Sequence, residues 1–67
     1  MWNYEGMTVW GNYLGEEVSG IVEMSRVAYG GRVKHTVVLE EPIQLPWRDG
    51  LTDRVILDMA EIVRVRG

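Results

Sequence analysis

The sequence predicts an all-β domain of short strands, and three observations carry that reading. Valine, which favours a pleated, half-buried surface, occurs ten times, and glycine punctuates the chain eight times. A Gly30-Gly31 pair separates two valine-rich runs in the manner of a hairpin. No segment sustains the 3.6-residue apolar period of a helix beyond one turn.

In chain order, residues 1–13, "MWNYEGMTVWGNY", hold four of the six aromatics and read as an aromatic-rich arm or strand. "GEEVSGIV" is a turn feeding a strand, with Gly20 allowing a bend or a close backbone approach. Gly30-Gly31 predicts a two-residue turn, because both residues adopt positive φ without strain. Counting outward from it sets Tyr29 opposite Arg32, Arg26 opposite His35, Met24 opposite Val37 and Val22 opposite Leu39. Alternation then gives a core face of Val22, Met24, Arg26, Ala28, Val33, His35, Val37 and Leu39. Ile21, Val27 and Val38 fall on the other face.

"EEPIQLPW" is extended, and Pro42 and Pro46, lacking N–H donors, confine it to an edge strand or an irregular loop. A two-residue turn at Asp49-Gly50 would pair Ile43 with Ile56 but Leu45 with Arg54. That mixes faces, so a longer loop is expected. "DRVILD" is the next strand, "MAE" a single 3₁₀ turn, and "IVRVRG" the closing strand.

This order of about five strands, with one short 3₁₀ turn before the last, resembles the SH3-like small barrel. "EEVSGIV", "KHTVVLEEPI" and "RVILDMAEIVRV" carry the likeness over most of residues 16–66. The resemblance implies a single SH3-like β-barrel domain over residues 1–67, and a superfold of many functions implies little about activity. The type II dihydrofolate reductases are SH3-like tetramers of similar length that carry a Val-Gln-Ile-Tyr motif on a late strand. Here the comparable place reads "RVIL", Arg54 to Leu57, so that likeness stops at architecture. Six arginines against one lysine point to a GC-rich genome, and the chain resembles small proteins of phages that infect GC-rich bacteria.

Composition removes several function classes. There is no cysteine, hence no disulfide or thiolate metal site, and a single histidine builds no multi-histidine centre. No cofactor or metal is expected. An apolar content of 46% with 25% charged residues is that of a globular domain. Its apolar runs stop at three residues, against about 20 for a membrane helix and about 7 for a signal peptide. No membrane partner and a cytoplasmic location, in a bacterial cell or phage-infected host, are therefore expected. The net charge of −3 disfavours nucleic acid as a partner.

His35 is the only candidate for a triad base, but its expected neighbour is Arg26, which cannot orient an imidazole as a carboxylate would. Arg26 and His35 are read as a polar pair at the rim of the core. The Glu16-Glu17 and Glu40-Glu41 doublets alternate faces along a strand, so neither presents two carboxylates together. Arg64 and Arg66 share a face of the last strand, with Arg54 a candidate third member. The aromatic surplus and the apolar outer face predict an interface, within the chain or between copies. The sequence reading is a non-enzymatic module for protein–protein interaction, working as a homo-oligomer. Its candidate contacts are Trp2, Tyr4, Trp10, Trp47, Arg64 and Arg66. The alternatives are a nucleic-acid-binding barrel and a ligand-sequestering pocket around Arg26 and His35. A third is an enzyme site assembled between subunits.

Overall fold

A computed structural model describes residues 2–67. The strands are β1 (Thr8–Tyr13), β2 (Glu16–Val27), β3 (Val33–Gln44), β4 (Leu51–Asp58) and β5 (Ile62–Arg66). Two 3₁₀ turns, Tyr29–Gly31 and Met59–Glu61, join β2 to β3 and β4 to β5. All neighbours are antiparallel in one sheet of order β4-β3-β2-β1-β5. The all-β architecture, the strand count and the 3₁₀ turn before β5 match the sequence reading. The sheet is barrel-like but not closed, because β4 and β5 are its two edges.

One face of the sheet curls over the core. Val9, Val18, Val22, Val37, Leu39, Val55 and Leu57 are buried there, with Tyr13, Ile43, Ile62 and Val65 packed around them. The inward positions His35, Val37 and Leu39 on β3 alternate as the sequence predicts, and on β4 Val55 and Leu57 alternate while Thr52 is buried out of that phase. Gly11 lets β1 approach the far side of the curl. A Cβ at that position would lie 2.6 Å from the Glu61 carbonyl oxygen and 3.1 Å from Leu57 Cδ1.

The β2–β3 hairpin departs from the expected register twice. Gly30 and Gly31 both have positive φ, but the loop runs over residues 28–32, held by Ala28 N–H donating to Arg32 O at 2.6 Å. Val27 therefore faces Val33, and Arg26 faces Lys34. A bulge between Val22 and Met24 then shifts the pairing again, so Val22 meets Val37 and Gly20 meets Leu39. A bulge adds one residue and reverses the phase of everything beyond it. Val22 and Ser25 both point inward, whereas Met24 and Arg26, expected in the core, are exposed.

The N-terminal segment docks beside the bulge. Gly6 N–H donates to Val22 O at 2.8 Å, Val22 N–H donates to Met7 O at 2.9 Å, and Ser25 N–H donates to the Glu5 carboxylate at 2.9 Å. The first two bonds continue the β1–β2 register one step past Thr8 and Ile21, and the third holds β2 on the hairpin side of the bulge. The aromatic-rich stretch is thus divided: residues 8–13 form the strand β1, and the preceding residues dock beside β2 on the core side. They leave the outer face of the hairpin uncovered, contrary to an arm packed on that face.

Pro42 lies within β3, where pairing with β4 lapses between Val38 and Ile43. Pro46 lies in the longer connection, residues 45–50, that the face argument requires. That loop is pinned by buried Leu45 and by Gln44 Nε2, which donates to the Leu45 and Arg48 carbonyls at 3.1 and 2.7 Å. The Met59–Glu61 turn is closed by a capping box: the Glu61 carboxylate accepts from Asp58 N–H at 2.8 Å, and the Asp58 carboxylate accepts from Ala60 N–H at 3.2 Å.

Gly20 provides the most exacting contact in the sheet. A Cβ there would overlap the Val38 carbonyl, backbone that no rotamer change can move aside. Gly20→Ala is expected to cost about 1–3 kcal/mol of stability, read as a lowered urea midpoint at unchanged m-value. An unchanged midpoint would show that β2 and β3 do not approach so closely.

Candidate functional site

The lone histidine forms the first constellation. His35 is fully buried, and its cross-strand partner is Ser25 rather than Arg26. Ser25 Oγ lies 2.7 Å from His35 Nδ1 and also accepts from Tyr4 N–H at 3.0 Å. The Tyr4 ring stacks on the imidazole, with centroids 4.9 Å apart and planes 12° from parallel. Among the described residues His35 Nε2 has no hydrogen-bond partner. If Ser25 donates to Nδ1, one N–H at Nε2 is unpaired. The other tautomer leaves both a hydroxyl proton and the Nε2 lone pair unpaired. The first arrangement leaves one group fewer unpaired, which favours the tautomer with its proton on Nε2.

Burial pushes the His35 pKa below its ordinary value, and the Asp58 carboxylate opposes that shift only in part. Asp58 itself is held below the usual carboxylate range by the Ala60 N–H, then by Arg32 at 2.9 Å and Lys34 at 3.4 Å. A serine within hydrogen-bond reach of a histidine is the geometry of an activated nucleophile. Here the serine is 7% exposed, its oxygen is occupied by Tyr4 N–H, and the histidine lies beneath the tyrosine ring. The pair ties the N-terminal segment to the sheet. It also rules out the open pocket expected around Arg26 and His35, since the two are not neighbours and the imidazole is sealed.

The second constellation lies on the outer face. Alternation turns Val9 and Gly11 inward and Trp10 outward, opposite Ser19 on β2 and Arg64 on β5. The Arg64 and Arg66 guanidinium carbons lie 4.7 and 5.5 Å from the Trp10 ring centroid. Each such contact at an exposed site contributes about 0.5–1 kcal/mol. One register row crosses the whole sheet on this face: Arg66, Thr8, Ile21, Val38 and Arg54. The adjacent row is Met24, Thr36 and Ile56. Ile21, Met24, Val38 and Ile56 are 37% to 52% exposed, so four large apolar side chains share one open surface. Arg54, at the far border from Arg66, pairs with Glu23 at 3.4 Å.

Trp10 is also a wall between two clefts. One, of about 310 Å³, lies between residues 17–19 and residues 40–43. The other, of about 350 Å³, is bordered by Asn12, Glu17, Val63 and Arg64. Glu17, Glu40 and Glu41 all line the first, although they come from two separate doublets.

Of the six expected contact residues, the structure brings together Trp10, Arg64 and Arg66. Tyr4 belongs to the histidine node, Trp2 is exposed in the segment before β1, and Trp47 is exposed in the β3–β4 connection. Ser25 escapes sequence reasoning because only the bulge turns it inward. The cleft escapes it because strand alternation splits each glutamate doublet, and only the bend in β3 brings Glu17 near Glu40 and Glu41. Among the described residues no three His, Asp or Glu side chains converge as metal ligands, and no helix is long and apolar enough to cross a membrane. No protein-family model matches the chain, nor does any curated protein or solved structure.

Two outcomes follow from the histidine node. Ser25→Ala leaves Tyr4 N–H and His35 Nδ1 without their partner, each a loss of about 1–3 kcal/mol, readable by urea denaturation. The pH dependence has a definite sign. Because folding lowers the His35 pKa, the unfolded chain takes up the proton first as pH falls through about 6.5. Stability then drops by up to about 1.4 kcal/mol per pH unit until the folded pKa is reached. His35→Phe is expected to flatten that limb of the stability profile between pH 7 and 5. A limb that persists in the variant would assign it to other groups.

Proposed function

We propose that the chain is a non-enzymatic protein-binding module that works as a homo-oligomer through the outer face of its sheet. The observation that carries this reading is the contiguous Ile21, Met24, Val38 and Ile56 surface, bordered by Trp10 with its two stacked arginines. A half-exposed aliphatic side chain gains about 1 kcal/mol when fully covered. Aromatic and arginine residues at its border are the usual anchors of a protein interface.

A second copy fits the charges as well. One border of the face carries Arg64 and Arg66, and Glu23, which pairs with Arg54, supplies an acid on the same face. A two-fold contact sets each patch of one copy against a different patch of the other, so a face carrying both signs complements itself. The six-to-one excess of arginine over lysine supports a GC-rich phage or bacterial setting, where such a module would act as an accessory protein on a host component.

A second reading has its own observation. Trp10 beside Arg64 and Arg66 is a stacking surface with cations attached, as single-stranded nucleic acid requires. The acids lining the neighbouring cleft and the net charge of −3 weigh against it.

Sedimentation velocity at micromolar concentration is expected to show an oligomer. Ile56→Lys, an outward change that leaves the core intact, is expected to yield a folded monomer by the same measurement and by circular dichroism. A wild-type monomer throughout the micromolar range overturns the self-association. Binding of oligothymidylate that weakens steeply with salt and is lost in Trp10→Ala would favour the nucleic-acid reading instead.

A further inference from the structure

The cleft beside Trp10 is a place where the sheet comes apart. β2 and β3 stay paired from Val27 and Val33, across the bulge, to Gly20 and Leu39, and there the pairing stops. β3 bends away because its pairing with β4 jumps from Val38–Arg54 to Ile43–Thr52, leaving four residues of β3 against one of β4. Residues 40–42 pair with neither neighbour, and Pro42 has no N–H to offer. Residues 16–19 of β2 pair with β1 on one side and, among the described residues, with nothing on the other. This is a strand edge inside the sheet, facing a cavity of about 310 Å³, within the size range of ligand sites.

We infer that this cleft takes up an extended basic peptide segment of a partner protein, added as a strand along residues 17–19 of β2. The inference deepens the protein-binding reading by naming a second surface and its partner, and it does not depend on self-association. Three features define the occupant. The exposed edge of β2 presents main-chain groups of the kind that strand addition uses. Val18 and Ile43, buried and half-buried, line the core side of the cleft and suit a small apolar side chain. Among the described residues Glu17, Glu40 and Glu41 are the only charged ones lining it, and all three are exposed.

Alternation along an added strand turns every second side chain toward the core side and the others toward solvent. The complement is therefore a basic–apolar–basic pattern. Arg64-Val65-Arg66 in β5 has that pattern, but it is already paired with β1 and its arginines are stacked on Trp10, so this chain's own strand is not free to fill the cleft.

The test is a titration of the ¹⁵N-labelled protein with a capped hexapeptide of alternating arginine and valine. Shifts are expected at residues 17–19 and 40–43, with slowed amide exchange within residues 17–19. The variant Glu40→Gln/Glu41→Gln, both exposed, is expected to weaken binding about three- to tenfold while sedimentation stays that of the wild type. A peptide N-methylated at alternate amides is expected not to bind, since it cannot complete the ladder. Equal binding of the N-methylated peptide would reduce the contact to charge attraction and overturn strand addition. No binding at low salt, or shifts confined to Ile21, Val38 and Ile56, would overturn the cleft as the site. Sedimentation of the peptide-free protein reports self-association separately, so either idea can fail alone.

Discussion

The bulge between Val22 and Met24 is the constraint on which the rest of this structure depends. Twelve residues of β2 must serve two neighbours: β1 along the first half, and β3 from Gly20 to the hairpin loop. Without the extra residue, Met24 would stay in phase with Val22 and point into the core, and Ser25 would face solvent. With it, the inward position becomes a small hydroxyl. Only a residue of that size and chemistry can stand beside His35 Nδ1 and still accept Tyr4 N–H. The N-terminal segment is held at the bulge by three further main-chain donors, Gly6, Val22 and Ser25. Bulge, serine, histidine and N-terminal segment are one device.

The cost and the use of that device differ in kind. An imidazole with a bare Nε2 is an expensive occupant for the interior of so small a protein, whose other core residues are almost all valine and leucine. An aliphatic residue there would pack without any polar partner, and then nothing would discriminate the bulged register from the straight one. Because the histidine needs a hydrogen bond, it selects the register that supplies Ser25. The buried polar pair thus specifies one alignment of a valine-rich hairpin that would otherwise slide cheaply.

Much of the fold was legible in the sequence because it obeys period two. His35, Val37 and Leu39 on β3, and Val55 and Leu57 on β4, face inward as alternation requires. The single 3₁₀ turn at Met59–Glu61 stands where the sequence reading sets it, and the face conflict between Leu45 and Arg54 correctly requires a long β3–β4 connection. The failures share one cause. A bulge, a longer loop and a bend each insert residues without any compositional mark, and each changes every pairing beyond it. Glu23 looks like any exposed strand residue, and Gly30-Gly31 takes the expected dihedrals inside a loop of a different length. For the surfaces, alternation alone placed Arg64 and Arg66 on one face. Their meeting with Trp10 needed the pairing of β1 with β5, which no local signal in either strand announces.

The acidic side chains around the cleft resolve a problem that an open strand edge creates. Unpaired main chain beside apolar residues is a template for aggregation, and proteins blunt such edges with charge, proline or a bend. Here all three appear together: Glu17, Glu40 and Glu41, Pro42, and the divergence of β3. Two copies brought edge to edge would oppose carboxylates to carboxylates, which disfavours pairing between clefts. The same charges do not disfavour a strand of opposite sign. An edge guarded by one sign of charge is protected and selective for the same physical reason. The exposed apolar row through Ile21 and Val38 has no such one-sign guard: Arg66 stands at one border, and Arg54 at the other is paired with Glu23 of β2. The two surfaces are therefore built for different contacts, one broad and apolar, the other narrow, directional and dependent on charge.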